Sequence, residues 1–172
     1  MEDYFLGIDP GLGGAFALVD KAGWVHHASP LPLVKKKDKP RLDCKELYIL
    51  LTHYNPWIIN TAIELVHSMP KQGVVSTFTF GRGYGSLLSI LEIMDIPFEE
   101  IPSQKWKKKV FGKTTPDKKV SIEFASTLQN SETYLFCKRG NKPHDGVADA
   151  ICLAEYSRQT FVPEESFNHT ED

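Results

Sequence analysis

The sequence is poor in cysteine, with three in 172 residues: Cys44, Cys137 and Cys152. An odd number at such separations suits neither a disulfide framework nor a zinc site. A reducing compartment is the natural setting. No apolar run approaches the roughly 18 residues a membrane-spanning helix needs, so no membrane partner is expected. The opening MEDYFLGIDP lacks the basic start and small-residue cleavage site of a secretory signal. Internal repeats and low-complexity segments are also missing.

An excess of charge of one sign is missing too. The net charge is −2, which by itself argues against a nucleic-acid partner. Its distribution argues otherwise. The segment KWKKKVFGKTTPDKK carries Lys105, Lys107, Lys108, Lys109, Lys113, Lys118 and Lys119 against the single acid Asp117. A second basic run, KKKDK, spans 35–39. Local positive patches on a near-neutral chain can bind phosphates. A solvated, lysine-rich helix face is the competing reading, and both stay open at this point.

What is present is a hydrophobic fraction of 41%, enough for one cored domain. We place that domain at residues 1–160 and expect the acidic tail 161–172 to fray. Strands are expected at Tyr4–Asp9, Gly14–Asp20 and Trp24–Ser29, the first two joined by a Pro-Gly-Leu-Gly turn. Three prolines and the basic run make 29–40 a loop. Asp43 caps a helix over Lys45–Tyr54. Trp57–Ile63 is an apolar, β-branched strand ending on Glu64. The glycine, serine and threonine content of 66–80 reads as a loop. Helices follow at Gly85–Asp95, Ser103–Val110, Pro116–Leu128 (opened by a proline) and Asp145–Gln159. A short strand lies at Pro97–Ile101, and 130–142 is irregular. The order β-β-β-α-β-α-β-α-α-α implies an α/β fold: a mixed five-stranded sheet with helices on both faces.

The candidate chemistry lies in carboxylates. Asp9 ends a strand, where aspartate is disfavoured. Glu64 ends another. If the two strands are parallel neighbours, both acids emerge at one sheet edge, where open α/β sheets place their sites. Asp145 and Asp149 are four apart in HDGVADA, on one helix face. Like charges at that spacing repel, so a cation between them is expected. Mg²⁺, or Mn²⁺ with the same oxygen ligands, suits this set. Two ions roughly 3.5–4 Å apart could clamp a phosphodiester. His144 stands beside the cluster and could assist proton transfer or position water. Each residue also has a plainer explanation: Asp9 as a turn former, Asp145 as a helix cap, Asp149 on a solvated face, His144 as a structural group.

GIDPG at Gly7–Gly11, IE at Ile63–Glu64 and the late ADA with its preceding acid resemble the RuvC-like Holliday-junction resolvases of the ribonuclease H-like superfamily. MPKQG at Met69–Gly73, FGRGYG at Phe80–Gly85 and PSQKWKKKVFG followed by DKK resemble the branch from phages, some bacteria and chloroplasts. In bacterial RuvC the last two acids are three residues apart; here they are four apart, as in that branch.

The resemblance spans about Phe5 to Tyr156. It implies a metal-dependent endonuclease that makes paired symmetric nicks in four-way DNA junctions as a homodimer, with no nucleotide cofactor. Its site would hold Asp9, Glu64, Asp145 and Asp149 as metal ligands, and Lys107 and Lys118 near the scissile strand. Lys105, Lys108, Lys119 and Arg82 would join them on DNA. Phe78, Phe80 and Tyr84 could stack on unpaired bases or belong to the core. The apolar stripe of 85–94 would be a dimer helix, or core. A bacterial or phage-infected cytoplasm, or an organelle stroma, is the expected location. Three rivals remain. One is a ribonuclease or flap nuclease on the same fold, and another is a junction binder that does not cut. The third is an actin-like or sugar-kinase-like ATPase, which would need a second lobe that 172 residues cannot hold.

Overall fold

A computed structural model describes residues 3–35, 40–68, 73–112, 118–136 and 142–162. Three strands, β1 (Tyr4–Asp9), β2 (Ala15–Asp20) and β3 (Val25–Pro30), form an antiparallel meander. A small hairpin follows, β4 (Leu33–Lys35) with β5 (Pro40–Leu42). It occupies the stretch expected to be a loop. Pro40 opens β5, a strand position that a proline tolerates because no partner needs its missing N–H. Helix α1 (Cys44–Thr52) begins where expected, with Asp43 Oδ1 accepting from the Glu46 N–H at 3.1 Å. After a 3-10 turn at Asn55–Trp57, strand β6 (Ile58–Leu65) runs parallel to β1.

Helix α2 (Val74–Ile93) is far longer than the sequence suggests, and begins inside the supposed 66–80 loop. Then come β7 (Phe98–Pro102), parallel to β6, and α3 (Ser103–Phe111). Helix α4 (Lys118–Ala125) is followed by the one-turn α5 (Glu132–Leu135) and by α6 (Asp145–Phe161). Pro116 and the segment Met69–Gln72 lie outside the described residues, as do Cys137 and the tail beyond Val162.

The main sheet is the mixed five-stranded one expected, in the order β3-β2-β1-β6-β7. Strand alternation sorts its side chains into two layers. Leu6, Ile8, Phe16, Leu18 and Ile63 face α1 and α2, meeting Leu47, Leu51, Leu87 and Leu91. The stripe of 85–94 expected as a possible dimer face is therefore mostly core: Leu87, Ile90, Leu91 and Met94 are buried. Ala15, Ala17, Val19, Ala62 and Ile101 form the opposite layer with α6 and with residues of α3 and α4.

Small residues let α6 approach the sheet closely. A Cβ placed on Gly7 would lie 2.1 Å from the Ala150 carbonyl oxygen and 2.2 Å from the Ala154 nitrogen. Helix and strand thus touch backbone to backbone. Most of α6 is buried, and near its end the buried Glu155 pairs with the partly buried Arg158 at 2.6 Å. Among the described residues no helix is long and apolar enough to cross a membrane.

Candidate active site

The two layers decide which acids can meet. Gly7 lies on the α6 side of β1, so Asp9, two residues on, faces the same way. Ala62 lies on the α6 side of β6, and so does Glu64. Both strands run parallel, so both acids emerge at their carboxyl ends. The first turns of α6 come down over that edge. Asp9 Oδ2 lies 3.1 Å from where a Gly146 Cβ would be, and the Gly13 carbonyl oxygen only 2.3 Å from it. A side chain at 146 would lift the helix off the β1–β2 turn.

Asp9, Asp145 and Asp149 line one open cleft of about 510 Å³. Pro10, Gly11, Gly13, Gly14, Pro143, His144 and Gly146 complete it. The turn is closed by the Gly14 N–H donating to the Gly11 carbonyl at 3.2 Å. Gly11 has φ +133°, which only glycine adopts readily.

Glu64 stands beside Asp149 on the sheet side. Burial raises the Glu64 pKa, and the charge of Asp149 raises it further; Lys107, Trp106 and Ser103 pull it back down. The Trp106 Nε1 makes no hydrogen bond of ordinary geometry, yet lies near enough to favour the carboxylate. Ser103 and Trp106, both on α3, are site residues the sequence reading passed over. The only available signal was their place beside the lysines in PSQKWKK.

Helix α6 is capped by His144, not Asp145. Its Nδ1 accepts from the Val147 N–H at 3.3 Å. With Nδ1 occupied as an acceptor, the neutral ring carries its proton on Nε2.

The donor chemistry fits a hard divalent cation: all oxygen, with mutual repulsion between Asp149 and Glu64 for a positive ion to relieve. Among the described residues, however, no three His, Cys, Asp or Glu side chains are disposed to hold an ion by themselves. Mg²⁺ typically binds one or two carboxylates and completes its shell with water and substrate phosphate.

Comparison with solved structures reports the same architecture. A Thermus thermophilus RuvC in complex with a Holliday junction substrate matches with a TM-score of 0.57 at 14% identity, covering 92% of this chain and 94% of that one. A second T. thermophilus RuvC structure matches with a TM-score of 0.52 at 16% identity, over 93% and 95%. The fold is RuvC-like. It is thus an α/β fold of the ribonuclease H-like class. No family model matches the chain, and no curated protein matches it by sequence.

On this RuvC-like frame the remaining candidates separate. Lys107 of α3 is half-buried, its Nζ 5.2 Å from the Trp106 ring centroid, and its charge reaches Glu64. Lys105 and Lys108 are exposed on the same helix, and Lys119 is exposed at the start of α4. Lys118 opens α4 at the edge of the described residues.

Phe78, Phe80, Arg82 and Tyr84 are helical residues of α2, not loop residues. Phe78 is 70% exposed. Phe80 lies against the site turn: its ring is 3.6 Å from where a Gly11 Cβ would be. The Tyr84 hydroxyl donates to Glu100 Oε2 at 2.5 Å. Burial and that hydrogen bond raise its pKa, with a smaller contribution from Glu64.

Proposed function

We propose that this chain is a divalent-metal-dependent endodeoxyribonuclease that cuts four-way DNA junctions by paired symmetric nicks, acting as a homodimer. One observation carries the reading. Three aspartates surround a single cleft, and a glutamate coupled to one of them stands at the adjoining strand end of a RuvC-like sheet. The ribonuclease or flap-nuclease rival shares the fold but predicts another substrate, and the acids set phosphodiester chemistry rather than substrate choice.

Asp9, Glu64, Asp145 and Asp149 would hold the cation, Mg²⁺ or Mn²⁺, as one ion or two. A bound cation supplies positive charge against the build-up of negative charge on the phosphodiester. The chain's own residues do the rest. Lys107 carries a second positive charge to the Glu64 side, where it can contact a phosphate oxygen or offset developing charge. His144, at the start of α6 in the same cleft, would assist proton transfer or position the attacking water. Gly11, Gly13 and Gly14 keep the cleft floor low enough for a sugar–phosphate backbone to approach. The exposed start of α2, Val74, Val75 and Phe78, is the apolar surface that would pair the two protomers.

The test is cleavage of a labelled four-way junction with Mg²⁺ by wild type and by Asp9→Asn. Intact duplex and RNA–DNA hybrid serve as controls. Symmetric nicks confined to the junction and lost in the variant are expected. Cutting of the hybrid in preference to the junction would overturn the substrate, and binding without cutting would overturn the enzymatic reading.

A further inference from the structure

Helix α3 has an inner and an outer face. Ser103, Trp106, Lys107 and Val110 are its buried or half-buried positions, and Gln104, Lys105, Lys108 and Lys109 are exposed. The inner set keeps helical spacing, so its side chains share one side. Strand register says what that side meets. Glu64 pairs with Ile101 across β6 and β7, and the chain enters α3 two residues later, at Ser103. Lys107 therefore differs from the other lysines of its run. It belongs to the face that starts beside the Glu64 carboxylate.

Trp106 is the immobile member of that face. It is fully buried, in the same layer as Ala62 of β6 and Ile101 of β7. Its ring packs edge-on to Phe111 at 5.6 Å, and Phe111 packs edge-on to Phe124 of α4 at 5.5 Å. Rings in this arrangement hold one another's orientation. The Lys107 Nζ, 5.2 Å from the Trp106 centroid, is within cation–π range. The indole Nε1 is buried without a hydrogen-bond partner of ordinary geometry. An orphan donor is costly, and each one in a folded chain calls for a reason. A phenylalanine would fill the same layer without that cost. The anion that the indole N–H favours is the Glu64 carboxylate.

We propose that Trp106 is a positioning residue that serves Glu64 and Lys107 together. Its N–H steadies the carboxylate, and its ring face seats the ammonium. One locked ring thus sets an acid and a cation relative to each other, and Glu64 meets a metal ion already ordered. The inference rests on the cation-binding reading of the acid site and deepens it. Removing a group that steadies a metal-ligating side chain typically weakens metal binding about 10–100-fold.

The chain has three tryptophans, Trp24, Trp57 and Trp106. With Trp24→Phe and Trp57→Phe, Trp106 is the only indole left. Its fluorescence then reports on Mn²⁺, a paramagnetic quencher that takes the same oxygen ligands as Mg²⁺. Electron paramagnetic resonance counts free Mn²⁺ independently. Quenching should saturate in step with bound Mn²⁺ and vanish with Asp149→Asn. Trp106→Phe should weaken Mn²⁺ binding about tenfold. In the Glu64→Gln background the same substitution should leave binding unchanged, because the indole acts through that carboxylate.

A tryptophan that only fills space would weaken binding equally in both backgrounds, and that result overturns the proposal. Wild-type affinity in Trp106→Phe also overturns it. Either result spares the acid site, which still takes up its ion. If Trp106→Phe fails to fold, the single-tryptophan protein decides. Bound Mn²⁺ that leaves its emission unquenched, or quenching that survives Asp149→Asn, sinks the proposal. Absence of saturable Mn²⁺ binding in the wild type would end both the proposal and the metal-dependent reading.

Discussion

Glu64 works against its surroundings. Burial and the Asp149 charge both disfavour its carboxylate, and Lys107, Trp106 and Ser103 only partly restore it. Glu64→Gln keeps the shape and removes the conflict. Cleavage should fall at least about 10²-fold, while junction binding persists and the melting temperature holds or rises, as when a strained site is relieved. Wild-type cutting by this variant would remove Glu64 from the site. Lys107→Ala should slow cleavage by about 10-fold or more with little change in melting temperature; an unchanged rate would return the lysine cluster to a solvated face.

His27 offers a test away from the site. It stacks on Phe16 at 5.3 Å between ring centroids, and burial lowers its pKa. Between that lowered value and about 6.5 the unfolded chain binds more protons than the folded one. Stability is therefore full above about pH 6.5 and declines as pH falls through the window. His27→Phe should flatten this acid-side slope in thermal melts; a slope that survives the substitution would belong to other groups.

At the scale of elements, β1 and α6 form the joint on which the site hangs. Gly7→Ala would drive a methyl group into the backbone of α6. A stability loss of at least about 3 kcal/mol is expected in chemical denaturation; a loss under 1 kcal/mol would mean that helix and strand can separate cheaply. The acids at this joint stood out in the sequence, because an acid ending an apolar strand and two acids at helical spacing each break a local rule; the close approach of Gly7 to α6 did not. Nor did the start of α2. VVSTFTFGRGYG is rich in β-branched residues and glycine, both poor helix formers. Its helix is anchored by Leu87, Ile90 and Leu91, more than ten residues further on. Tertiary packing overrides propensity there, and a single window cannot register it. The β4–β5 hairpin escaped for a related reason: three-residue strands flanked by prolines and lysines have no measurable period. Ser103 and Trp106 were invisible because their role is to face an acid from a different element.

At the scale of the molecule, the proposed dimer concerns the start of α2. Val74 is 84% exposed and Phe78 70%. Phe78→Glu should turn a dimer into a monomer in sedimentation. It should also replace paired cuts in a supercoiled junction substrate by single, uncoupled nicks. A monomer that still cut both strands in concert would refute pairing through this surface.

The position of α6 has a further consequence. It packs on β1, β2, β3, β6 and α4, and it brings two of the four acids. Chains emerge from the ribosome amino end first. Asp9 and Glu64 leave the exit tunnel well before Asp145 and Asp149, and the sheet waits for its central helix until then. The half-made polypeptide therefore holds two acids and no closed cleft. Under the proposed function, synthesis itself would act as a safety catch, withholding the complete acid set until the residues of α6 have been added.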